Sequence, residues 1–122
     1  MAQDSLCPLA SETSILKTIE SLTQRNINVL VVGSTDEALR LLLTLVPSGS
    51  EVYCGTSETL DSIGFPEYIH NNPDYRSLDW EFQSESEPQN RLELRRLSST
   101  SEYYIGSVQA ISETGEVVVA SS

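Results

Sequence analysis

Twice in this chain a run of strand-forming residues ends in glycine and passes at once into helix-start chemistry. The first instance is "INVLVVGSTDE", residues 27–37, and the second is "EVYCGTSETL", residues 51–60. A strand that turns straight into a helix must lay that helix back on the sheet, because each element has an apolar side to bury. "INVLVV" is apolar at nearly every position, the pattern of a strand covered on both faces, as in a parallel sheet. Ser34 stands as a candidate N-cap with Glu37 three residues on, the spacing of a capping box. This repeated strand–glycine–helix unit predicts an α/β fold.

The flanking segments fit that frame. Ile15, Leu16, Ile19 and Leu22 fall on one face of a helix predicted over residues 11–25. Leu39, Leu42, Leu43 and Val46 do the same in the next helix, which Pro47 and Gly49 stop. Gly64 and Pro66 are expected to end the helix that follows Gly55. Residues 66–88 read as the least regular part, with Leu78, Trp80 and Phe82 alternating in "SLDWEF" as in a strand. Pro88 suits the first turn of a helix running to about Ser98. "EYYIGSVQAIS" reads as a strand broken at Gly106-Ser107, "ETG" as a hairpin turn, and "EVVVA" as the returning strand. The predicted architecture is α/β and three-layered, with a mostly parallel sheet, helices on both faces and a C-terminal β-hairpin. Two parallel strands and a hairpin make a thin sheet for so many helices. The sheet is therefore expected either to be completed by a partner chain through "EVVVA" or to belong to a shortened domain.

Charge narrows the partners. The chain has 122 residues and a formal net charge of −11. Nucleic acids and anionic membrane surfaces need clustered Lys and Arg, so neither is expected as a partner. No apolar run approaches the roughly 20 residues of a membrane span. Residues 1–10, "MAQDSLCPLA", have neither the basic start nor the apolar core of a secretory signal and read as a flexible tail before a domain over 11–122. Cys7 and Cys54 make no disulfide framework and read as reduced thiols of a cytoplasmic protein. With one histidine and no C-x-x-C, no metal and no cofactor are expected.

The turn after "EVYC" is the leading candidate site. A helix start leaves amide N–H groups without intrahelical partners and carries partial positive charge, which suits an anion. Gly55 permits close approach, and Thr56, Ser57 and Thr59 add hydroxyls. The competing reading is an ordinary turn in which Thr56 or Ser57 is simply the N-cap. Arg91 and Arg95, four apart on one helix face, could grip an acidic substrate, or pair with Glu87 and Glu93 on a solvated surface. Cys54 next to the turn reads as buried and inert, Glu113 as an exposed turn acid and His70 as a surface or capping residue. No Ser–His–Asp set, paired-acid set or metal cluster stands out, so no catalytic residue is assigned.

"GTSETLDSIG" resembles the Gly-x-Ser-x-Thr-Leu-x-x-Ile-Gly signature of the LUD (lactate utilization) domain family, the domain of lactate utilization protein C. "EYYIGSVQAISETGEVVVASS" resembles that family's later stretch, which puts a small residue, Val, an amide residue and Ala before a glycine turn and a returning strand. The helix "NRLELRRLSS" stands where the family has an Arg-rich helix. The resemblance implies a fold similar to the sugar-phosphate isomerase and CoA-transferase superfamily. It implies a ligand site built from Gly55, Thr56, Ser57 and Thr59 with Ser107, Gln109, Ser121 and Ser122 on the facing side. It also implies an accessory role in converting L-lactate to pyruvate, a small anionic metabolite as ligand, and iron–sulfur or oxidoreductase partner proteins; the thin sheet adds a homo-oligomer to these expectations. Two alternatives stand beside it: an isomerase- or transferase-type enzyme acting on a phosphorylated or CoA-linked substrate, and a non-catalytic interaction module. The chain departs from several relatives at Val119 and Ser121, where they carry Asn and Asp, and the family domain runs several tens of residues further. The resemblance thus implies a shortened domain.

Overall fold

The computed structural model describes residues 9–120. The expectations for the tail at 1–8, for Cys7, and for Ser121 and Ser122 lie outside the described residues. In chain order the elements are α1 (Glu12–Gln24), α2 (Thr35–Leu45), β1 (Glu51–Cys54), α3 (Glu58–Ile63), α4 (Phe65–Asn71) and β2 (Arg76–Ser77). There follow α5 (Leu78–Ser84), α6 (Pro88–Ser99), β3 (Tyr103–Ile105), β4 (Ala110–Ile111) and β5 (Val117–Val118). They fall into two compact units, one over 32–107 and one formed from the described parts of 1–31 and 108–122.

The unit over 32–107 is α/β, and its sheet is parallel. The strand order is β2-β1-β3, with Val52 opposite Ser77 on one side and Tyr103 on the other. Alternation along β1 divides its faces. Val52 and Cys54 are buried in a core with Val46, Phe65 and Ile69, against which Leu39, Leu42 and Leu43 of α2 pack. Tyr53 points to the opposite face, where its neighbours include Phe82 of α5 and Arg95 of α6. The helix of residues 35–45 forms with Ser34 as its N-cap: the Glu37 amide donates to Ser34 Oγ at 3.2 Å, while the Glu37 carboxylate reaches one residue past the capping-box position and accepts from the Gly33 amide at 3.0 Å.

The other unit joins α1 to the β4–β5 hairpin. Ser11 caps α1, accepting from the Ser14 amide at 3.1 Å. The strands pair antiparallel, Ala110 with Val118 and Ile111 with Val117, around a turn in which Gly115 has φ of 91°. Glu113 is held against α1 by Lys17 at 4.0 Å and by the Ser14 hydroxyl, the place of a structural turn acid.

Three expectations are corrected. Residues 27–32, "INVLVV", form no strand, and Ile27, Leu30, Val31 and Val32 are exposed. A strand exists only where a neighbour takes its backbone hydrogen bonds, and among the described residues the sheet is β2-β1-β3, with no strand paired to this stretch. "SLDWEF" is the end of β2 followed by helix α5. Leu78 and Phe82 are two strand repeats apart but also i and i+4, so the same apolar spacing serves a helical face. Pro66 opens α4 instead of ending α3, while Gly64, at φ of 83°, caps the end of α3 as expected and starts α4 as well. Residues 66–88, read as irregular, therefore carry most of α4, all of β2 and α5, and the first residue of α6, which begins at Pro88 as predicted.

Phe65 has no exposed surface and sits in the core beside Val52 and Ile69. Phe65→Ala is expected to destabilise the protein by about 3–5 kcal/mol, and Ile69→Val by about 1 kcal/mol. Urea unfolding followed by circular dichroism measures both.

Candidate functional site

At the carboxyl end of β1 lies a cavity of about 210 Å³. Its floor is Cys54, Gly55, Thr56 and Ser57, and its walls come from α3 (Asp61), α4 (Pro66 and His70) and α5 (Asp79 and Gln83). The position is the one expected in open α/β sheets, where strands end and helices begin.

Asp79 organises the site. The register of β1 with β2, Glu51 opposite Arg76 and Val52 opposite Ser77, would place residue 79 opposite Cys54 if β2 continued. The chain has become helix α5 by then, and the Asp79 side chain stands in for the missing strand. Its Oδ1 accepts from the Cys54 amide at 3.0 Å and from the Ser77 hydroxyl at 3.3 Å. Its Oδ2 lies 3.0 Å from His70 Nε2. The Asp79 side chain is only 5% exposed and His70 20%. A buried carboxylate needs such partners, because charge without them is costly to desolvate. The first turn of α5 adds its own favourable dipole. His70 also packs on Trp80, with ring centroids 4.9 Å apart. The imidazole is thus held on one nitrogen by a carboxylate in the lining of the cavity, an arrangement of the kind general acid–base sites use.

Cys54 is not equipped as a nucleophile. Burial, with Asp79 and Asp61 adding negative charge nearby, pushes its thiol up to about 12. The reactive form is the thiolate, so this thiol stays protonated and inert near neutrality, as the sequence suggested.

The residues singled out from the sequence divide. Gly55, Thr56 and Ser57 line the cavity; Thr59 is exposed on α3 and is not among the lining residues. Ser57 is the N-cap of α3, its Oγ accepting from the Leu60 amide at 3.1 Å and donating to Ser107 Oγ at 2.8 Å. Ser107 is thus brought to the turn. Gly55 is closely packed: its amide donates to the Ile105 carbonyl at 2.8 Å, and a Cβ there would meet the Tyr104 hydroxyl at 2.6 Å, so that the tyrosine would have to shift. Among the described residues, the amides of Thr56 and Ser57 have no protein acceptor. Gln109 lies in the other unit, where its Oε1 accepts from the Ala120 amide at 2.8 Å within the hairpin.

The reading of the sequence missed the His70–Asp79 pair. Once "SLDWEF" is taken as a strand, Asp79 points away from Leu78 and looks solvated. The available signal was Ser77 followed by two acids, Asp79 and Glu81, which is first-turn helix composition. Among the described residues no group of three or more His, Cys, Asp or Glu is placed to hold a metal ion, and no helix is long and apolar enough to cross a membrane.

The chain belongs to the LUD domain family, whose model matches residues 15–122. No curated protein and no solved structure matches it. The family is associated with lactate utilization, and that association reaches this chain at the level of the domain family.

The buried thiol gives the site a signature at high pH. Up to about pH 9 the thiol is protonated in both folded and unfolded chains; above it the unfolded thiol ionises while the folded one holds its proton to about 12. Stability is therefore expected to fall through pH 9–12, and Tyr53, also raised chiefly by burial, acts in the same direction. Urea midpoints measured across that window should decline, and Cys54→Ala should flatten the decline.

Proposed function

We propose that this LUD domain is a cytoplasmic accessory subunit of lactate utilization that holds L-lactate or pyruvate in the cavity at the end of β1. One observation carries the reading: a buried carboxylate fixes an imidazole, at 3.0 Å, in the wall of a cavity of metabolite size. Oxidising a 2-hydroxy acid to a 2-oxo acid removes the hydroxyl proton, and removes the carbon-bound hydrogen together with two electrons. His70 backed by Asp79 suits the first task. The carbon-bound hydrogen would leave with its two electrons as a hydride, to a hydride-accepting group on the oxidoreductase partner that the family resemblance implies. The ligand's carboxylate would lie against the amides of Thr56 and Ser57, the Thr56 hydroxyl and the Gln83 amide. The lining offers two acids and no Lys or Arg, so the affinity is expected to be weak, with a Kd on the order of 1 mM.

A second reading, the interaction module, is favoured by Val117, Val118 and Val119, which are exposed along the β5 segment. Light scattering separates it: sheet completion by a second copy requires a stable dimer, and a monomer contradicts it. The isomerase or transferase reading would use the same His70 on a proton next to a carbonyl, and a sugar phosphate or CoA ester would then bind in preference to lactate.

Isothermal titration with L-lactate and with pyruvate tests the proposal. Saturable binding of either acid is expected, with L-lactate weakened about threefold to tenfold in His70→Gln, the loss of one hydrogen bond to its hydroxyl. No binding of either acid, or equal binding of L-lactate by His70→Gln, contradicts it.

A further inference from the structure

Two cavities lie on the face of the sheet away from the core, and they share no lining residue with the cavity at the end of β1. One, of about 310 Å³, sits among Phe82, Pro88, Arg91, Leu92 and Arg95. The other, of about 460 Å³, is lined by Tyr53, Tyr104, Phe82, Arg95 and three serines of the α6–β3 corner. Phe82 and Arg95 border both. Neither lining contains an acid, although the chain has 18.

The arginines do not pair with Glu87 or Glu93, as a solvated face would have them do. Glu93 pairs with Arg96 at 3.1 Å. Arg91 lies over the Phe82 ring at 4.2 Å and donates to the carbonyls of Phe82 and Glu85, closing the carboxyl end of α5. That is a structural role. Arg95 is 5.5 Å from the same ring centre, and among the described residues no carboxylate lies within ion-pair distance of it. Two cations four apart on a helix repel each other, and an anion placed between them relieves that repulsion.

Beside Arg95 the sheet presents an aromatic platform. Tyr53 and Tyr104 are register partners on β1 and β3, and their rings stack at 5.7 Å and 8° from parallel. Tyr104 remains 64% exposed. The serine hydroxyls around the cavity donate to carbonyls of their own segment, Ser98 to Leu94 at 2.7 Å and Ser101 to Ser98 at 3.1 Å. Their oxygens are left as acceptors for ligand hydroxyl or amine groups.

We propose that these paired cavities bind a nucleoside phosphate. The base stacks on the exposed Tyr104 ring, the phosphate lies on Arg95, and sugar or base donors reach Ser98 and Ser101. Aromatic stacking and a guanidinium on phosphate are the contacts proteins use for such ligands. The net charge of −11 sets a long-range field against a polyanion, which favours a single nucleotide over a nucleic acid strand.

Isothermal titration with AMP, adenosine, inorganic phosphate and a single-stranded oligoadenylate tests this on the full chain. AMP is expected to bind at least tenfold more tightly than adenosine or inorganic phosphate. Arg95→Gln should weaken AMP about tenfold and leave adenosine unchanged, and Tyr104→Leu should weaken AMP and adenosine about tenfold, in line with one charge-assisted bond and one stacked base. Both side chains are exposed. Chemical-shift mapping on the unmutated protein gives a readout independent of the variants, with AMP moving the Tyr53, Tyr104 and Arg95 signals. The proposal is overturned if AMP fails to bind at about 10 mM, binds no better than inorganic phosphate, is unaffected by both variants, or is outcompeted tenfold by the oligonucleotide.

Discussion

When β2 ends at Ser77, the Cys54 amide loses the strand that would have carried its ladder onward. An amide buried at that point has to find another acceptor or cost the fold a few kcal/mol, about 1–3. The Asp79 carboxylate supplies it, and the same group accepts from Ser77 and meets His70. One side chain thereby ties β1, β2, α4 and α5 together at the end of the sheet where the cavity opens. The arrangement also explains why the thiol above it is inert. Cys54 is desolvated and faces the charge that holds its own backbone.

Charge is distributed to match. The chain is strongly acidic, yet several of its few cations are tied to structure. Arg76 bridges Glu81 at 2.9 Å and Glu51 at 3.3 Å, stapling β2 to α5 and β1. Lys17 and Arg25 hold the hairpin acids Glu113 and Glu116. Such half-exposed pairs contribute little individually, about 0–1 kcal/mol. Their value is in placing segments. Arg95, by contrast, has no carboxylate within ion-pair distance among the described residues, and it stands where the sheet shows its stacked tyrosines.

Much of the fold was legible because its signals are local. Ser34 as an N-cap, Ser57 at a helix start, Gly64 and Gly115 at positive φ, and Pro88 at a first turn each act within a few residues, and each was found where the sequence placed it. "INVLVV" and "SLDWEF" were misread for one reason: apolar spacing states what a segment can bury, and only tertiary pairing decides its backbone. The turn at Gly55–Ser57, singled out from the sequence, forms the floor of the cavity. Its wall could not be read, because His70 and Asp79 are nine residues apart and meet only when α4 and α5 are both helices. Gln109, chosen by resemblance, is satisfied within the hairpin, a pairing across eleven residues that no motif announces.

The central claim is that Asp79 fixes His70. The chain has one histidine, so a nitrogen-15 spectrum of its imidazole reports on that pair without ambiguity. The expected result is a slowly exchanging, downfield N–H on Nε2 that disappears in Asp79→Asn while the fold remains. A rapidly exchanging imidazole that interconverts between tautomers and is indifferent to Asp79→Asn would contradict it.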